Sequence, residues 1–215
     1  MTIKHHPDIA SLMSCAAGSQ PESIAAVVAS HLSVCPQCAR RVGNLASIGE
    51  ALFEDIAPID LKNPAPVAVA RSMEADDPLP VAVTVKAGEV PAPLRELIGT
   101  DLDALAWKRI APGVWHYPLK LSGQARGDLR LIKVAPGSKL PDHGHRGEEM
   151  TLVLRGSYTD GSGQYSIGDV ADLDPDVEHA PVTGAAEGCI CLLASEKPAR
   201  FKGIFARMMQ PLMGF

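Results

Sequence analysis

The sequence has few aromatic residues, which make up only 4% of its 215 positions. Any hydrophobic core must therefore be filled mainly by Ala, Val, Leu and Ile, and hydrophobic residues at 46% are enough to build one. Charged residues account for only 21%, a composition that argues against a disordered chain or a coiled coil. At about 100 to 200 residues per domain, the length allows one large domain or two small ones.

An excess of basic charge is also missing. Twenty Lys and Arg residues against 25 Asp and Glu residues give a formal net charge of −5. Proteins that hold nucleic acid by neutralising its phosphates carry a basic surface. The charge balance therefore predicts no direct contact with DNA or RNA and favours a protein partner with a basic surface.

Long apolar runs are absent as well. The opening residues, MTIKHHPD, show no signal-peptide stretch, and no run approaches the roughly 18 residues of a membrane helix. We therefore expect a soluble, cytoplasmic protein that does not contact a membrane. In a reducing compartment, five cysteines, an odd number, favour metal or redox chemistry at close pairs over a disulfide framework.

Residues 1–57 carry apolar side chains at spacings of three and four, which predict helices. Asp8 opens a first helix, which Gly18 ends. Ser19 and Glu22 have the spacing of a capping box and predict the start of a second helix, and a third begins near Cys35. Three short helices make a small core, which commonly needs a staple such as a metal ion.

The remainder of the chain has a different pattern. Residues 58–93 hold seven of the 18 prolines and predict a linker. Residues 94–215 begin with a helix-like piece, which we place over residues 93–107, and continue as short strand signals separated by Gly, Pro and Asp, typical of an all-β sandwich or barrel. The predicted fold class is α plus β in two domains, a helical domain of three to four helices and a β-barrel.

The first candidate metal site is His31-x3-Cys35-x2-Cys38. A Cys-x2-Cys pair brings two thiolates to one ion, and a histidine at the preceding helix end adds an imidazole nitrogen. Three ligands leave a tetrahedral zinc ion incomplete. We expect His6 as the fourth ligand, or alternatively its neighbour His5.

The second candidate site lies in the predicted barrel. His143 and His145 are two residues apart and face the same way in a strand, and Glu149 re-enters the same cavity from the next strand. About 30 residues later, His179 follows another turn. Glu148 is the rival carboxylate, but strand alternation places it on the opposite face. Three imidazoles and one carboxylate converging inside a barrel indicate a transition-metal site.

The other cysteines permit two interpretations. Cys189 and Cys191 are two apart in a predicted strand, so both thiols face the same way and either pack as small hydrophobic side chains or take part in redox chemistry. Cys15 stands alone on the first helix and is expected in the core.

These patterns resemble known families. The segment Gly137–Gly156 matches the first cupin motif in every fixed position, and Gly168 and His179 stand at their places in the second. The segment His31–Cys38 is similar to the zinc-binding anti-sigma domain. In this order, and over nearly the whole chain, the sequence resembles the ChrR-type zinc-binding anti-sigma factors.

The resemblance implies that the β-barrel is a cupin, a double-stranded β-helix or jelly roll, and it also implies a partner and two zinc sites. The helical domain would inhibit an extracytoplasmic-function sigma factor, in a 1:1 complex, by blocking its engagement with RNA polymerase. Its zinc ligands would be His6, His31, Cys35 and Cys38. The cupin-like domain would be needed for release of the sigma factor when singlet oxygen appears. Its zinc ligands would be His143, His145, Glu149 and His179.

Two other functions compete with this interpretation, which includes no catalytic residue. Zinc with three histidines and one glutamate has a closed tetrahedral shell, whereas iron, manganese or nickel with six positions would keep two open. The open site would suit a cupin metalloenzyme such as a dioxygenase. The third possibility is a zinc-dependent interaction module that senses nothing.

Overall fold

The computed structural model of the chain describes residues 2–59, 90–123, 127–144, 147–174 and 176–197, and the backbone of 200–201. Most of the predicted linker and all of His145 lie outside these residues. Within them there are four helices, α1 Ile9–Ala16, α2 Glu22–Leu32, α3 Pro36–Glu54 and α4 Ala92–Ile98. The strands are β1 Lys108–Ala111, β2 Val114–Pro118, β3 Asp128–Val134, β4 His143–Gly144, β5 Glu149–Asp160, β6 Gly163–Ser166, β7 Val170–Leu173, β8 Glu178–His179, β9 Val182–Thr183, β10 Cys189–Ser195 and β11 Arg200–Phe201.

The three helices predicted in the first 57 residues are confirmed, but the capping box is wrong. Asp8 caps α1 by accepting a hydrogen bond from the Ser11 amide at 2.6 Å. Before α2, Pro21 occupies the cap position and no side chain caps the helix. The Glu22 carboxylate instead accepts a hydrogen bond from the Ser122 amide at 2.8 Å. The Glu22 side chain, which the local pattern assigned to the cap of α2, therefore makes a tertiary contact with the loop after β2.

The β-strands form two antiparallel sheets, as the cupin prediction requires. The larger sheet runs in the order β1-β2-β3-β10-β5-β6, and β7 and β9 also pair with the long strand β5. The smaller sheet has the order β11-β4-β8 and places His143 directly opposite His179. The helix expected over residues 93–107 is shorter than predicted, because α4 ends at Ile98, before Gly99 takes a positive φ of 73°.

One face of α2 packs on the sheet. Ile24, Val27 and Val28 are at most 1% exposed and share a hydrophobic core with leucines of β3, β5 and β10. Burying side chains of this size contributes about 1.5–3 kcal/mol each. The helical segment and the sheet thus contact each other through an apolar interface. The boundaries 1–57 and 94–215 stay a prediction of the sequence.

Gly156 shows why the first cupin motif ends in glycine. It lies in β5 beside an irregularity in the pairing with β10 and has a positive φ of 70°. A Cβ at this position would lie 2.0 Å from the carbonyl oxygen of Gly188. Both the backbone conformation and the close approach of Gly188, just before β10, exclude a side chain.

We predict that Gly156→Ala lowers the free energy of unfolding by about 3 kcal/mol or more, because it combines positive φ with a backbone clash. Gly49→Ala is the matched control: Gly49 is exposed in α3 with open space around it, and there alanine should stabilise by about 0.5–1 kcal/mol. Denaturant unfolding of both variants measures the difference. Equal free energies of unfolding for the two variants would contradict the conclusion that Gly156 cannot carry a side chain.

Candidate metal centres

The first group of possible ligands lies where the three N-terminal helices meet. His6 precedes α1, His31 is in the last turn of α2, and Cys35 and Cys38 flank the start of α3. One potential ligand atom from each of the four residues lies within 4.8 Å of the others. The short loop between α2 and α3 brings His31 and the cysteines together, and the chain before α1 supplies His6.

The distances fit a tetrahedral ion. His6 Nδ1 lies 3.5 Å from Cys35 Sγ and 3.3 Å from Cys38 Sγ. Zn–S bonds of about 2.3 Å and Zn–N bonds of about 2.0 Å would separate nitrogen and sulfur ligands by about 3.5 Å in a tetrahedron. The set of two thiols and two imidazoles is also one that zinc prefers.

His31 is oriented for the same centre. Its side chain is fully buried, and its Nδ1 lies 3.0 Å from the carbonyl oxygen of Gly168. Because a carbonyl only accepts, Nδ1 carries the hydrogen and Nε2 keeps its lone pair. Among the described residues, the buried Nε2 has no hydrogen-bond partner. An unpartnered buried nitrogen costs free energy that a bound cation would recover.

The two thiols of this group are inequivalent. A hydrogen bond from Cys38 lowers the pKa of Cys35 to about 3, although burial acts in the opposite direction. The same hydrogen bond, reinforced by burial, raises the pKa of Cys38. The thiolate is the form of cysteine that binds metal, so a lowered pKa at Cys35 favours metal binding.

His5 and His6 point to different parts of the molecule. The ring of His5 packs on Tyr165, with ring centroids 4.4 Å apart, and lies against Gly163. His6 faces the thiols. Of the two alternatives left open by the sequence, the structure brings His6, and not His5, into the ligand group.

The second group comprises His143, Glu149 and His179, which also offer ligand atoms within 4.8 Å of one another. The pairing of β4 with β8 aligns the two histidines, and Glu149 is the first residue of β5. Glu149 is only 4% exposed. Glu148 is not part of this group; burial, followed by the negative charge of Asp172, raises its pKa.

Outer hydrogen bonds orient both histidines of the second group. His179 Nδ1 lies 2.8 Å from the fully buried carboxylate of Asp160, and His143 Nδ1 lies 2.9 Å from the carbonyl oxygen of Pro141. Both acceptors place the imidazole hydrogen on Nδ1. The two Nε2 atoms lie 3.1 Å apart. This distance is close to the N–N separation of about 3.3 Å between two nitrogen ligands of a tetrahedral zinc ion.

Sequence reasoning missed the role of Asp160, and it placed Gly168 in the cupin motif without finding its contact with His31. The Asp160-Gly161 pair is a turn signal, and the hairpin between β5 and β6 does form there. Its carboxylate, however, also accepts hydrogen bonds from the amides of Ser162 and Gly163, at 2.8 and 3.3 Å. Only the fold shows that the other oxygen of the same carboxylate holds His179.

The cysteine pair of β10 has another environment. Cys189 Sγ and Cys191 Sγ are 3.2 Å apart and buried among Val153, Tyr158 and neighbouring side chains of the barrel. The hydrogen bond between the thiols, followed by burial, raises the pKa of Cys191. A protonated, buried thiol behaves as a small hydrophobic group. Cys15 is partly buried and packs against the larger core, as expected.

An open groove of about 820 Å³ lies beside the second group. His179 and Asp160 form part of its wall, with Lys139, Asp142 and Glu178 around them. No helix in the described part of the chain is long and apolar enough to cross a membrane.

Comparison with known proteins decides the family. Residues 95–198 match the family described as the ChrR cupin-like domain. The anti-sigma-E factor ChrR of Cereibacter sphaeroides is 36% identical over 211 residues, 98% of each chain. This chain belongs to the ChrR family. A crystal structure of Rhodobacter sphaeroides SigE in complex with the anti-sigma ChrR matches at 36% identity with a TM-score of 0.74, covering 90% of this chain and 99% of that ChrR-family chain.

We predict that Asp160→Asn lowers the metal affinity of the second group by about 10- to 100-fold, the usual effect of removing an outer-shell carboxylate. An amide has one acceptor oxygen and cannot serve His179 and both turn amides. Asp103→Asn, which removes an exposed carboxylate paired with Arg155, is the control and should leave affinity unchanged. Chelator competition measures both. An unchanged affinity in Asp160→Asn would show that the carboxylate does not support the site.

Proposed function

We propose that this protein is an anti-sigma factor that binds an extracytoplasmic-function sigma factor and prevents it from engaging RNA polymerase. The observation that carries the proposal is the similarity, across 90% of the chain, to an anti-sigma factor whose structure was solved in complex with its sigma factor. The 36% sequence identity to the Cereibacter protein, which extends over 98% of each chain, supports the same conclusion.

An exposed apolar surface supports a protein partner. Ile48, Leu52, Phe53 and Ile56 lie at helical spacing at and just beyond the end of α3, and each is between 60% and 75% exposed. We call these four residues the α3 stripe. Large apolar side chains grouped on a surface mark interaction sites more often than chance. Within the described residues, the only buried residue of α3 is Cys38, near its start, so the stripe is available to a partner.

The two candidate metal centres would have separate roles. A zinc ion held by His6, His31, Cys35 and Cys38 would tie the start of α1, the end of α2 and the start of α3 together, and so present α3 to the sigma factor. The cupin centre would use His143, Glu149 and His179, with His145 as the fourth ligand implied by the family motif. A four-ligand zinc site is closed, which favours a structural or sensing role over catalysis.

Release of the sigma factor would depend on the cupin centre. We infer that singlet oxygen acts on the metal-loaded cupin centre, and that the resulting change in the cupin part is transmitted to residues 1–57. A centre that has lost a ligand, and with it its metal, would then no longer respond. Inhibition and sensing would then belong to different parts of the chain, with the Pro-rich segment 58–93 as the connection. The protein would act in the cytoplasm, without contacting DNA.

The groove beside His179 is the observation that favours the alternative, a cupin metalloenzyme. A dioxygenase would need iron, manganese or nickel with two open coordination positions facing that groove. Zinc in the purified protein, together with a lack of turnover, would remove this alternative.

For sigma binding, we predict that Leu52→Asp combined with Phe53→Asp weakens the complex on the order of 30-fold or more, because a buried charge opposes an apolar contact. Folding should be unaffected, since both side chains are exposed. The matched control is Leu97→Asp, on α4, where the leucine is 52% exposed. Co-purification and titration calorimetry with the sigma factor measure the effect. Equal binding by all variants would place the interface elsewhere.

For release, we predict that His143→Ala or Glu149→Ala leaves sigma binding intact and blocks dissociation under singlet oxygen. The readout is transcription from a sigma-dependent promoter with and without a photosensitiser, alongside co-purification. A variant that binds and releases normally would leave the cupin centre without a sensing role, as in the simple interaction module.

A further inference from the structure

The turn between β6 and β7, residues Ser166–Asp169, contacts the segment that carries His6. Asp169 is fully buried, and its Oδ1 accepts hydrogen bonds from the amides of Lys4 and His5, at 2.6 and 2.9 Å. The amide of Val170 donates to the carbonyl oxygen of His5 at 3.1 Å. His5 is thus tied to the barrel through both of its backbone polar groups, immediately before His6.

The other oxygen of the Asp169 carboxylate holds the turn itself. Oδ2 accepts hydrogen bonds from the amide and the hydroxyl of Ser166, at 2.8 and 2.9 Å. Although burial favours the neutral acid, these bonds and those from Lys4 and His5 lower the pKa of Asp169. The side chain is therefore a buried carboxylate whose charge is balanced by hydrogen-bond donors from two distant parts of the chain.

The same turn reaches a second residue of the helical metal group. The carbonyl oxygen of Gly168 accepts the hydrogen bond from His31 Nδ1 that turns Nε2 toward the thiols. Gly168 has a positive φ of 87°, and a Cβ there would lie 2.9 Å from the side chain of Ile3. A side chain at this position would be strained and would force Ile3, in the N-terminal segment, to move.

We propose that the β6–β7 turn is the outer shell of the helical metal centre, with Asp169 as its positioning residue. Asp169 holds the backbone that presents His6, and the Gly168 carbonyl orients His31. All four ligands belong to the first 57 residues, but contacts with the barrel fix the orientation of two of them, His6 and His31. The complete centre therefore requires the barrel.

The test uses the full-length protein loaded with Co²⁺. Absorption from charge transfer between thiolate and Co²⁺ reports the two-cysteine centre, because the cupin group contains no thiolate. The rate at which a chelator abolishes this absorption measures metal retention at the helical centre alone. Total cobalt after chelation, by elemental analysis, gives retention at the cupin centre.

Two variants remove the same contact from opposite sides. Asp169→Asn replaces a carboxylate oxygen with an NH₂ group, which cannot accept the hydrogen bonds that Asp169 receives. Lys4→Pro deletes the backbone N–H that donates to Asp169 at 2.6 Å, and it leaves the barrel sequence unchanged. Each has a matched control. Lys4→Ala keeps the amide and loses only an exposed side chain. Asp103→Asn makes the same change from acid to amide at an exposed carboxylate paired with Arg155.

We expect Asp169→Asn and Lys4→Pro to release Co²⁺ from the helical centre about 10- to 100-fold faster than the unaltered protein, the range for outer-shell changes. Both controls should remain within about twofold, and the cupin centre should retain its metal. Release at the unaltered rate by both test variants overturns the proposal. So does a Lys4→Pro protein that loses metal equally from both centres, because that result would report general unfolding.

Discussion

The packing of α2 on the sheet is the constraint on which the metal chemistry of this protein depends. Burial of Ile24, Val27 and Val28 against the leucines of the sheet fixes the axis and rotation of the helix. His31, one turn farther along, is carried on the same face into the interior. Its Nδ1 meets the Gly168 carbonyl and its Nε2 faces the thiols. A nonspecific apolar contact thus sets the position of a side chain whose chemistry requires a defined direction.

The fold and most ligand candidates could be predicted from the sequence because their signals are local. The Cys-x2-Cys spacing, the alternation around Glu149 and the glycines of the cupin motif all lie within about 20 residues of the groups they position. Asp160 and Asp169 could not be found in this way. Each appears in sequence as a turn residue, and its second role depends on a contact with a residue 19 or 164 positions away. The choice between His5 and His6 was equally nonlocal, because both are adjacent to the same helix start.

The two cysteine pairs show how environment separates identical side chains. In the helical centre, the hydrogen bond from Cys38 and, after it, the nearby imidazole of His31 lower the pKa of Cys35, although burial opposes them. In β10, the partners of Cys189 and Cys191 are apolar or aromatic, and the pKa of Cys191 is raised. Spacing alone predicted that the members of each pair would be close together. The surrounding charges and burial determine that the first pair suits a cation and the second suits a core.

Residues 3–6 contact structural supports of both metal centres. His6 faces the thiols, whereas the ring of His5 lies on Gly163, in the hairpin whose Asp160 holds His179. A metal ion in the cupin centre that stabilises this hairpin would therefore also stabilise the position of residues 3–6. The same residues include His6, a ligand of the helical centre. Such coupling is reciprocal: any factor by which metal in the cupin centre changes the metal affinity of the helical centre is also the factor by which metal in the helical centre changes the metal affinity of the cupin centre. The inhibiting and sensing parts would then be thermodynamically coupled, although their residues lie in different parts of the chain.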